Sequence, residues 1–207
     1  MNIYTAPRMD SFRADPATVS PERNEPVTLD ELKAHLRIFH FDEDLEISAY
    51  LRAARETAEA WANRALITQT ATVKMSRFLV STTQLIELPY GTLQSVTSIT
   101  YVDEAGDSQA WASSNYVVDT GHVPGRVGLA YNASWPTIRD WDLPITIIYE
   151  VGFGSSATDV PQALRTAVKM IAAEMYERRD NSIIGAAVSE TTLPARTLTN
   201  IYRVHPI

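Results

Sequence analysis

The side chains best suited to move protons or ligate a metal near neutral pH are the four histidines, His35, His40, His122 and His205. None stands in an H-E-x-x-H or comparable ligand spacing, and His35 and His40 are five apart, off a shared helical face. The run FDEDLE (41–46) resembles a calcium loop only in its acids. It lacks the central glycine that bends an EF-hand loop, so helix capping accounts for it better. The cluster DEAGD (103–107) could hold a divalent ion, and reads more simply as a solvated hairpin tip. Gly152-Phe153-Gly154 precedes a helical pattern, where phosphates can bind. Neither a Walker loop nor a dinucleotide fingerprint is present, and Asp159 puts negative charge where a phosphate would sit. No G-x-S-x-G elbow places a serine nucleophile. Trp61, Trp111, Trp135 and Trp141 could stack bases or sugars, but three of them fall in or beside strand-like segments, where packing is the default. Arg178-Arg179 could touch DNA and equally suits the negative end of a helix. No catalytic residue, cofactor site or metal ligand is therefore assigned, and the chain is read as a non-enzyme.

Those residues must be carried by a chain of 207 residues, 45% hydrophobic and 21% charged, enough for one large domain or two small ones. Cysteine is absent, which excludes disulfides and thiolate chemistry and makes a reducing compartment the natural expectation. The net charge of -7 argues against general affinity for nucleic-acid backbone, since that binding rests on Lys and Arg displacing counterions. No stretch approaches a membrane span and no signal segment is evident, so no membrane partner is expected.

Residues 1–26, with Pro7, Pro16, Pro21 and Pro26, read as an extended N-terminal arm. At Thr28 the phrase T-L-D-E forms a capping box, predicting a helix over about 28–38 with Leu29, Leu32 and Leu36 on its buried face. A second helix is predicted over 42–63, capped by Asp42, with a stripe of Ile47, Tyr50 or Leu51, Ala54, Ala58, Trp61 and Ala65. From Thr68 the period becomes alternating. TATVKMSRF, LIELP, SVTSITYVD, SQAWA, NYVVD, RVGLAY and ITIIYEVG predict an antiparallel β-sandwich or small barrel over 68–152, with Gly106 in a hairpin turn. A third helix is predicted over 160–179, capped by Asp159 with Pro161 in its first turn. The fold class is α+β: a helical bundle (27–67 and 153–181), an inserted β module (68–152), and a C-terminal tail (182–207) with no regular period.

The chain order and several phrases resemble the head-tail connector (adaptor) proteins of bacteriophages and gene transfer agents, in the branch whose helical bundle carries a β insertion. The phrases are VTLDELKAHLRI with DEDLEISAYLRAARETAEAWANRALITQT, IELPYGTLQSVTSITYVDEAGD, SWP, ITIIYEVGFG, VPQALRTAVKMIAAEMYERRD and the terminal IYRV, together covering about 27–207. Residues 1–26 have no counterpart, and Ile201 stands where the family shows proline before Tyr202.

The resemblance implies a virion structural protein of the particle neck, made in the bacterial host cytoplasm. It implies a homo-oligomeric ring, typically a dodecamer, that docks the portal protein and a downstream neck or tail-completion protein. DNA would pass through the ring without specific binding. It also implies a portal-binding tail, with Leu198, Ile201, Tyr202 and Val204 as apolar anchors and Arg203 pairing with an acidic group. Removal of 194–207 would then leave the fold intact and abolish portal binding. The structural alternative is a tail packed on its own helices. Two other functional readings stand beside the connector: a carbohydrate-binding or hydrolytic module with Trp111, Trp135 or Trp141 lining a cleft, and a tail-completion or terminator ring.

Overall fold

In the computed structural model the described residues are 12–15, 24–78, 85–178 and 193–205. The chain divides into two compact units, one of residues 1–20 and 69–151, the other of 21–68 and 152–207.

The second unit is helical. Helix α1 (Leu29–Leu36) opens on the expected capping box: Thr28 Oγ1 accepts from the Glu31 N–H at 3.2 Å, and Glu31 Oε2 accepts from the Thr28 N–H at 3.0 Å. Arg37 ends it in the left-handed region at φ 60°. Helix α2 (Asp44–Ala62) begins later than expected. The N-cap is Glu43, not Asp42, and it makes no side-chain cap bond. Asp42 instead points to solvent beside His40, while Glu43 accepts a hydrogen bond from the Tyr176 hydroxyl, a tertiary contact that the local pattern does not contain.

Helix α3 (Gln162–Glu177) is preceded by a single 3₁₀ turn over 157–159. Ser156, not Asp159, accepts from the turn, and Asp159 reaches back to the Ser156 N–H at 2.9 Å. Pro161 is the residue just before α3, where its missing N–H costs nothing. Helix α4 (Leu193–Asn200) has no counterpart in the sequence-based expectation and packs against α2 and α3.

The core of this unit joins Leu32, Ile47, Leu51, Ala54 and Ala58 to Leu164, Val168, Ile171 and Ala172. The alanines keep the α2 stripe low, so that α3 approaches closely. Leu51, not Tyr50, completes the stripe. Each fully buried Leu or Ile side chain contributes roughly 1.5–3 kcal/mol. Charged groups lock the edges. Arg55 is buried and takes Glu25 and Glu59 at 2.9 Å each, while Glu59 Oε1 also accepts from the Leu66 N–H at 2.9 Å. Arg165 donates to Glu31 at 2.7 Å and to the Pro26 carbonyl at 2.9 Å, joining α3 to the start of α1.

The first unit is all β. Strands β1 (Phe12–Asp15), β2 (Gln69–Met75), β4 (Leu93–Val102), β5 (Ser108–Ala110) and β8 (Ile145–Val151) form an antiparallel sheet in the order β1-β2-β8-β4-β5. Strands β3 (Leu85–Glu87), β6 (Tyr116–Asp119) and β7 (Arg126–Leu129) form a second antiparallel sheet in the order β3-β7-β6. Strict alternation decides which face is buried. Ile145, Ile147, Tyr149 and Val151 of β8 lie inside, in register with Met75, Val73 and Ala71 of β2. Residues 12–15, inside the segment expected as an irregular arm, are an edge strand on β2, because a short extended stretch there completes an open ladder. The Tyr149 hydroxyl donates to the Pro89 carbonyl at 3.3 Å, connecting the five-stranded sheet to the residues just beyond β3. Gly106 sits at φ +97° in the β4–β5 turn, as expected.

Candidate functional site

The candidate catalytic and ligand-binding residues fall into structural roles. The four histidines are all exposed and lie in separate segments; His122 Nδ1 lies 3.1 Å from the Pro124 carbonyl oxygen. In the DEAGD turn, Asp103 accepts from Gln109 Nε2 at 2.8 Å and from the Gly106 and Asp107 N–H groups at 3.0 and 2.9 Å. The Gln109 bond and those backbone donors hold its carboxyl below the usual aspartate range. Its acceptor capacity is spent on the turn.

Gly152, at φ +135°, lies so close to the chain at Ile67 and Thr68 that an added Cβ would meet backbone atoms at 2.6 Å. Gly154 gives its carbonyl to the Thr68 N–H at 2.9 Å, and the Asp159 carboxylate fills the space a Cβ at Gly154 would take. Thus the GFG run serves a close crossing of two chain segments within the helical unit.

Three tryptophans take different places. Trp135 stacks on Phe78 with centroids 4.6 Å apart, Trp111 packs on Trp135 at 5.0 Å and on Tyr116 at 5.3 Å, and Trp111 is buried. Rings that cover one another leave little face for a sugar. Trp141 is exposed, with the Arg139 guanidinium 5.6 Å from its centroid.

The five tail residues do not act as one exposed anchor. Val204 is 6% exposed; its N–H donates to the Ala62 carbonyl at 2.9 Å and its carbonyl accepts from Asn63 Nδ2 at 3.1 Å. Leu198 and Tyr202 pack against the helical core, the Tyr202 ring edge-on to Phe153 at 6.2 Å. Ala195 and Thr199 are buried beside them. Only Ile201 and Arg203 of the five are exposed. The expectation of an irregular tail fails because its apolar residues repay their ordering inside the molecule: 195, 198, 199 and 202 share one face of a helix-like path. Pro194, read as an interruption, stands in the first turn of α4, where proline is tolerated.

Two features at this unit escape a pattern reading. At the N-terminal end of α2, Phe39, Phe41 and Leu45 are 86%, 78% and 90% exposed, among Asp42, Glu43 and Glu46. Phe-His-Phe standing outside any apolar period was the available signal. At the other end of α2, Arg64 is 8% exposed, and its Nε atom is buried without a hydrogen-bond partner. Its guanidinium lies 5.0 Å from the Phe153 centroid, near Tyr202. Burial pulls its pKa below the usual arginine range. No sequence signal marks it.

Residues 26–116 match the model of the phage gp6-like head-tail connector protein family. No curated protein matches the chain by sequence. Solved structures similar to it include a chain from the neck of an empty gene transfer agent particle computed with C6 symmetry. That chain is 24% identical, with a TM-score of 0.75 and coverage of 94% of this chain and 97% of that one. A chain from the neck of a native gene transfer agent particle computed with C12 symmetry is 25% identical, with a TM-score of 0.72 over 94% and 97%. A chain from the virion of a native gene transfer agent particle is 25% identical, with a TM-score of 0.73 over 94% and 96%. The sequence match over 26–116 and the fold match over nearly the whole chain point the same way, to similarity with head-tail connector proteins and with chains of the gene-transfer-agent neck.

Proposed function

We propose that the chain is a structural adaptor that forms a ring in the neck of a phage or phage-like particle. The ring lies under the portal, extends the channel through which DNA passes and offers a docking surface to the next neck or tail component. The observation that carries this is the fold match over nearly the full length of both chains, 94% of this one and 96% of that one at 25% identity. The net charge of -7 agrees with a conduit that DNA slides through without adhering. No enzymatic step is assigned to it.

Of the five candidate anchors, the portal contact narrows to the two that are exposed, Ile201 and Arg203. Leu198, Tyr202 and Val204 hold the segment in place from within. The test is co-sedimentation with purified portal rings. The native chain should travel with the portal, and Ile201→Asp with Arg203→Glu should bind at least about tenfold more weakly while melting like the native chain. A native chain that never travels with the portal would overturn the connector reading.

A further inference from the structure

We propose that neighbouring subunits join head to tail, the Phe39–Leu45 segment of one copy seating its exposed aromatic and acidic side chains on the basic surface that Arg196 and Arg203 form beside the buried Arg64 of the next. This rests on the ring reading and names the contact within it.

The two surfaces are complementary. The loop shows Phe39, Phe41 and Leu45 outward, with the Asp42 side chain 92% exposed. The basic groups near it are Lys33, held by Asp44 at 2.7 Å with its ammonium 4.3 Å from the Phe41 centroid, and His40, whose Nδ1 is 3.8 Å from Asp42. Asp42 therefore remains directed at solvent, next to apolar surface that no described residue of its own unit buries. The surface around Arg64 is the converse. Arg64 is a buried cation backed by the Phe153 ring and flanked by Tyr202, and no described carboxylate lies within ion-pair distance of it. The exposed Arg196 and Arg203 add positive charge to the same end of the unit. A buried guanidinium without a carboxylate is costly, and an acidic partner that brings apolar side chains relieves that cost.

One copy cannot satisfy itself. The Phe39–Leu45 segment runs into the first turn of α2, and Arg64 follows the last, with Val204 tying the C-terminal segment to the same end at Ala62 and Asn63. A helix of 19 residues separates the two by about 27 Å. Complementary patches at opposite ends of one rigid element generate a heterologous contact, which closes into a ring when the rotation allows.

The experiment uses two full-length variants that break opposite halves of the contact. Phe41→Ser with Asp42→Asn and Leu45→Ser removes the loop; these side chains are exposed or nearly so, and the fold should keep its native melting. Arg64→Gln removes the buried charge, with Arg64→Lys as a second variant that keeps the charge and loses the planar fork. Analytical ultracentrifugation over a concentration series should show native self-association, weakened at least about 30-fold in the loop and Arg64→Gln variants. Mixed one to one, those two should form a heterodimer and nothing larger, because each copy then supplies the half the other lacks. Variants that associate as the native chain does, or a mixture that forms no heterodimer, would overturn the contact. Portal co-sedimentation is read separately: heterodimers formed by a chain that ignores the portal would sink the connector reading and leave this contact standing.

Discussion

Substituting Val204 by aspartate separates a docked tail from a free one. Val204 is 6% exposed, and both of its backbone groups are bonded to the end of α2. Losing its burial costs roughly 1.5–2 kcal/mol. Placing a carboxylate in the same pocket adds about 1–3 kcal/mol even after the segment relaxes. The sum, about 2.5–5 kcal/mol, is bounded by complete undocking of 193–205, where freed chain entropy of about 1–2 kcal/mol per residue offsets much of the lost burial of Ala195, Leu198, Thr199 and Tyr202. At about 2–4 °C per kcal/mol, the helical unit should melt roughly 10 °C below the native chain. Differential scanning calorimetry with far-ultraviolet dichroism reads this. The isosteric Val204→Thr should lose far less. A V204D chain melting within a degree of native would mean that the tail is not packed on its own helices, and would restore the expectation that 194–207 can be removed without touching the fold.

The capping box carries a pH signature. The backbone bond from Thr28, with help from Arg165 and against a smaller opposing effect of burial, lowers the Glu31 pKa from 4.5. A lowered folded-state pKa contributes stability above the unfolded value, lost as pH falls through the folded value. Glu31→Gln should therefore cost about 0.5–1 kcal/mol at pH 7 and flatten the stability profile below about pH 4.5 in chemical denaturation series. Gly152→Ala forces a Cβ to 2.6 Å from the Ile67 and Thr68 backbone at a φ of +135°, and should cost about 3 kcal/mol or more. A G152A chain with a native urea midpoint would refute that close crossing.

Local signals were legible where the answer is local. Thr28 and Glu31 specify the start of α1 by themselves, and alternation along ITIIYEV names the inward residues of β8 without any knowledge of its partners. Gly106 marks the β4–β5 turn for the same reason. The readings that shifted are those decided by tertiary partners. Glu43 stands at the start of α2 engaged by Tyr176, 133 residues away, which no capping rule can anticipate. Arg55 is charged and yet buried because Glu25 and Glu59 converge on it from two segments; Glu59 and Glu25 raise its pKa although burial, the largest single effect, opposes them. The tail is the clearest case. Leu198, Tyr202 and Val204 show no clean period because they cover a surface built by α2, Phe153 and α3, and the spacing of that surface is not written in the tail. The tryptophans were legible as packing residues by type, but their mutual stacking with Phe78 required the fold.

As proposed, the chain works as a ring between portal and tail. Averaged electron-microscope images of the portal incubated with the native chain test it most directly. Such a ring gives added density closed around the portal channel and coaxial with it, absent when Ile201→Asp and Arg203→Glu are introduced. A chain that stays monomeric in the portal's presence, or binds it off the channel axis, would contradict it.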